Sequence, residues 1–102
     1  LMYCGVLWGL YHDGWAMKSG SNEVYFPFWL NAVQAHQYAK IHWPHYTPRR
    51  ITPKDFRESL LPTLTRLNIM PALFNSSSRK FKLSTSQMEH FFFHSHVQFQ
   101  PT

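Results

Sequence analysis

Seven histidines in 102 residues are the first chemistry this sequence offers. His90 and His94 stand four apart, the spacing that aims two imidazoles from one helix face at a single ion, and His96 follows closely. These three are the candidate metal ligands. His36, His42 and His45 form a second group, yet neither group matches H-E-x-x-H, because Glu89 precedes His90 and does not follow it. The plainer reading is that the histidines lie on the surface and bind zinc or nickel weakly and adventitiously at most, so no cofactor is expected.

Basic residues are the next candidates. Residues 1–48 hold Lys18 and Lys40 against Asp13 and Glu23, whereas residues 49–102 hold eight Lys or Arg against Asp55, Glu58 and Glu89, so the whole net charge of +5 lies in the second half. Arg49, Arg50, Lys54 and Arg57 gather around a helix start, where the macrodipole adds positive potential. With Trp43, His45 and Tyr46 nearby, this cluster could stack on and neutralise a nucleic-acid strand, and it could equally meet an acidic protein. Arg79, Lys80 and Lys82 make a second basic group.

Other chemistry is poorly supplied. Cys4 is the single cysteine, which excludes an intramolecular disulfide framework and a cysteine-based zinc cluster and suggests a reducing, cytoplasmic setting. There is no G-x-S-x-G, the four glycines form no phosphate-cradling loop, and the five acids show no acid/base pairing. An enzyme is therefore the less favoured class. No apolar run reaches the roughly 18 residues a bilayer span needs, and "LMYCGVLWGL" does not read as a signal peptide.

These residues must be positioned by a small core. Hydrophobic residues make up 44% and charged residues 15%, enough apolar surface for one ordered domain over 1–102, with 93–102 a loosely ordered tail. "VLWGLY", a second run opening at Trp15 after "HDG", and "EVYFPFWL" read as three successive antiparallel strands, with Pro27 at an edge or a bulge. Asn31 and Gln34 begin a helix with an alanine stripe at 32, 35 and 39, which Pro44 ends. An edge strand over Arg49 to Ile51 fits the extended "PHYTPRRI". Thr52-Pro53 starts a second helix that Pro62 should kink, "IMPALF" is a fourth strand, and Ser84 and Gln87 cap a short last helix. The expected architecture is α+β: a small antiparallel meander sheet of three to five strands with two or three helices packed mainly on one face.

The order "VLWGL", "DGWAM", "FPFW", "ITPKDFRESLLPTL" and "PALF" resembles the bacterial family known as domain of unknown function 2750. The matching residues are Leu7, Trp8, Leu10, Gly14, Trp15, Ala16, Pro27, Trp29, Ile51, Phe56, Leu61, Pro62 and Leu64, within about 5–92. The resemblance implies a fold and brings no assigned activity. It also implies a helix ahead of the V-W-x-L strand, where this chain has only "LMYC"; on that comparison one sheet face is expected to expose Tyr3, Trp8 or Tyr11 as a patch for a partner or a second copy. The reading is thus a non-enzymatic, protein-binding or regulatory module, immunity-like in one version. A histidine-based metal site or enzyme is the alternative, and nucleic-acid binding the third. The candidate binding residues are Trp8, Tyr11, Arg49, Arg50, Lys54 and Arg57.

Overall fold

The computed structural model describes residues 5–75 and 79–93, with the side chains of Phe91 and Phe93 left out. The strands are β1 (Leu7–Tyr11), β2 (Lys18–Ser19), β3 (Val24–Phe28), β4 (Thr47–Ile51), β5 (Ile69–Phe74) and β6 (Lys80–Lys82). Helix α1 is Ala32–His42, α2 covers 53–66 and α3 covers 85–93. The fold is α+β.

Connectivity departs from the expected meander. The turn after β1 forms as "HDG" requires: Asp13 takes a left-handed conformation with φ 58°, Gly14 has φ 154°, and the chain returns through a Tyr11–Trp15 bridge. That return is short. The Trp15 run narrows to this bridge and to β2, which pairs with β3, while β1 takes β4 as its antiparallel partner from Leu7–Ile51 to Tyr11–Thr47. The expected edge strand therefore exists, longer than expected and on β1. β3 then runs parallel to β5, from Val24–Ile69 to Phe28–Leu73, with α1, β4 and α2 forming the crossover that a parallel pair needs.

Of the three strand prolines, Pro27 and Pro48 fall where no donor is wanted, and Pro71 lies within β5. Trp8 and Trp29 exchange backbone hydrogen bonds of 2.9 and 2.8 Å, which joins the β1–β4 pair to the four-stranded sheet β2–β3–β5–β6. Backbone direction alternates along a strand, so Pro27, two residues before Trp29, points its nitrogen into the gap between β2 and β1. By the same alternation Leu7, Gly9 and Tyr11 bond to β4, which turns Pro48 and Arg50 toward β4's outer edge. A missing N–H costs nothing there.

Helices cover both faces of the sheet, two on one side and one on the other. Tyr25 and Trp29 of the β3 segment join Leu10, Ala35, Tyr38, Ala39, Ala72 and Phe74 in a cluster under α1. Phe26 and Phe28, on the opposite face, join Leu7, Ile51, Phe56, Leu61, Leu64, Met88 and Phe92 under α2 and α3. The alanines at 35 and 39 are buried as the helical stripe demands, with Tyr38 between them against Trp29 and Phe74. Trp8 is half-buried against the α1 cluster, so the expected bare patch is absent there; Tyr3 lies outside the described residues.

All three helix starts are capped as the sequence indicates. Asn31 accepts from the Gln34 N–H at 2.8 Å, Thr52 from Asp55 at 3.1 Å, and Ser84 and Gln87 form a reciprocal capping box. Within α2 the expected disturbance near Pro62 is a π-helical stretch, Phe56–Leu60, closed by the Leu61 N–H on the Phe56 carbonyl. The Thr63 hydroxyl donates to the Ser59 carbonyl at 3.0 Å and that of Thr65 to Leu61 at 2.8 Å. The wider turn keeps Phe56 between Phe26 and Phe28, at ring separations of 5.9 and 5.6 Å.

Candidate functional site

β1 and β4 meet the first turns of α2 at an open cleft of about 450 Å³. Register decides which side chains enter it. Gly9 faces Arg49 and Tyr11 faces Thr47 on the α2 side, whereas Trp8 faces Arg50 on the α1 side. The Arg49 guanidinium lies 4.2 Å from the centre of the Tyr11 ring and 5.8 Å from that of Trp15, and these two rings meet edge to face at 5.1 Å. Stacking of this kind holds a guanidinium in place while leaving its hydrogen-bonding edge open.

Trp15 can lie here because Gly9 has no side chain. A Cβ at Gly9 would stand 2.8 Å from the Trp15 ring and 3.2 Å from Phe26. Trp15 in turn packs edge-on to Phe26, 5.7 Å away, so the cleft wall is continuous with the core under α2.

The opposite wall belongs to α2. Asp55, Ser59 and Thr63, spaced four apart, line the cleft together with Leu60. Among the described residues no carboxylate lies within ion-pair distance of Arg49 or Arg50, although Asp55 shares the cleft with both.

The candidate binding residues are therefore sorted into groups. Tyr11 and Arg49 face one cleft, and Arg50 borders it from the next position of β4, its side chain directed to the α1 side. Trp8 stands on the other face, Lys54 is exposed in the first turn of α2, and Arg57 pairs with Glu58 at 3.3 Å and borders a separate groove with Arg66 and Glu89. Trp15, Asp55, Ser59 and Thr63 were not among the expected site residues. The i, i+4, i+8 spacing of the last three along a predicted helix is the signal that marks them.

The second basic group is engaged elsewhere. Lys82 donates to Glu23 at 2.7 Å, the Tyr25 hydroxyl donates to the same carboxylate at 3.3 Å, and Lys80 sits 4.0 Å over the Tyr25 ring. The hydrogen bond from Lys82 holds the Glu23 carboxyl below its ordinary pKa, and the same bond raises that of Lys82.

Of the candidate metal ligands, His90 is exposed on α3, and His94 and His96 lie outside the described residues, as do Cys4 and the tail from 94. The second histidine group disperses: the His42 ring lies 4.2 Å from that of Tyr38, and His45 faces His12 at 6.4 Å. Among the described residues no three His, Cys, Asp or Glu side chains are grouped to hold a metal ion. No helix among them is long and apolar enough to cross a membrane.

Residues 3–90 match the family described as protein of unknown function (DUF2750), and with that extent the chain belongs to this family. No curated protein and no solved structure matches the chain.

Proposed function

We propose that this protein is a non-enzymatic binding module of the bacterial cytoplasm that docks a partner protein at the cleft between β4 and α2. The observation that carries the reading is Arg49, stacked on Tyr11 in an open cleft and unmatched by a carboxylate among the described residues. A positive, aromatic-backed surface suits an acidic partner, in keeping with the net charge of +5. A toxin-neutralising role is one process such a module could serve.

A photo-crosslinking residue introduced at Ser59, inside the cleft, tests the reading in cells, with Val33 on the exposed side of α1 as the comparison site. The expected result is a protein adduct from Ser59 that the double change R49E/R50E removes. Equal adducts from both sites, or an adduct indifferent to the arginines, would remove the cleft from the interface.

A further inference from the structure

We infer that what enters the cleft is an extended acidic peptide segment, a carboxylate seated on Arg49 and the segment's own backbone aligned along α2; this inference rests on the docking reading above. Three features of the lining lead to it. Arg49 offers a planar fork held by Tyr11 and Trp15, the geometry that takes a carboxylate through two parallel hydrogen bonds. Asp55 is an acceptor only, and Thr63, whose hydroxyl proton is given to the Ser59 carbonyl, has lone pairs left to accept. The cleft thus asks its ligand for an anion on one wall and for N–H donors on the other.

A peptide supplies both: its carboxylates meet Arg49, and the N–H groups along one side of an extended segment, about 6.6 Å apart at twice the rise of roughly 3.3 Å per residue, face the acceptors of Asp55, Ser59 and Thr63 along α2. A DNA backbone presents acceptors alone and has no N–H to offer the α2 wall. Simple strand addition to β4 is the poorer route, because its outer edge offers Pro48 without an N–H.

The test is calorimetric titration of the whole chain with a short capped peptide alternating glutamate and serine, so that every carboxylate falls on one side when extended. Oligothymidylate of equal charge and free glutamate are the comparisons. Saturable binding of the peptide, tighter than either comparison, is expected. R49K, which keeps the charge and loses the fork, should weaken it about ten-fold. Oligothymidylate binding as tightly as the peptide would overturn the inference, and so would equal peptide affinity in R49K. Failure of the peptide to bind while the Ser59 adduct persists and still depends on Arg49 and Arg50 would reject the acidic segment and leave the docking reading standing. Loss of that adduct would reject both.

Discussion

Gly9 of β1 lies against the Trp15 indole, so close that a single methyl group would stand 2.8 Å from Cζ3. The contact links the floor of the sheet to the wall of the cleft. Any side chain at position 9 must displace Trp15, Phe26 or the β1 backbone, and two of these belong to the core face under α2.

G9A is therefore expected to cost about 1–3 kcal/mol of stability, the usual range for overpacking. Urea denaturation measures the loss, and near-ultraviolet circular dichroism should report a reoriented Trp15. An unchanged midpoint with an altered aromatic signal would show that the indole swings aside without strain.

Phe56 is the larger core anchor. It is fully buried between Phe26 and Phe28, so F56A is expected to cost about 3–5 kcal/mol. F56L keeps most of the volume and should cost clearly less. Equal losses in the two variants would mean that ring packing, rather than filled space, dominates at this position.

Thr52 sets the start of α2 beside the cleft, with its hydroxyl oxygen accepting from the Asp55 N–H. T52A should cost about 1 kcal/mol, and T52S should restore most of it. Amide exchange at residues 54–56 should quicken in T52A and leave α1, which has its own cap at Asn31, unaffected.

The pair Glu23–Lys82 carries a pH signature. Glu23 has a folded pKa below its ordinary value, so its contribution is complete above the ordinary carboxylate range and is lost as pH falls through that folded value. Lys82 is raised, so its contribution disappears as strongly alkaline pH passes through its own folded value. Both groups are exposed and the effect is correspondingly small. E23Q should lower the thermal midpoint at neutral pH and low salt, with a difference that closes in acid and in high salt. A difference that persists in acid would assign the role of Glu23 to something other than this ion pair.

Local signals were readable in advance, and contacts between distant segments were not. Asn31, Thr52 and Ser84 announce their helices because capping depends on three or four adjacent residues. The "HDG" turn is legible for the same reason. The parallel pairing of β3 with β5 leaves no local trace, since each strand shows only a short apolar run that is consistent with either direction. Pro48 illustrates the limit well: the expected strand starts after it, at Arg49, and only the Trp8–Trp29 bridge shows that the proline nitrogen faces the outer edge, so that β4 can start at Thr47. At the cleft, Tyr11 and Arg49 stand out by type, whereas Trp15 reads only as the opening of a strand, because aromatic strand residues are usually core residues. Trp29 is one, fully enclosed.

The parallel pair also constrains the order of events during folding. Val24 meets Ile69 only after α1, β4 and α2 have been spanned, so β3 is the site of a large loop closure and its pairing is slow relative to the local turns. A nascent chain that ends before Ile69 holds β3 with its inner hydrogen-bonding side unclaimed. Cooperative structure in this protein must therefore await synthesis of β5, and the helices made earlier have no completed sheet to rest on until then.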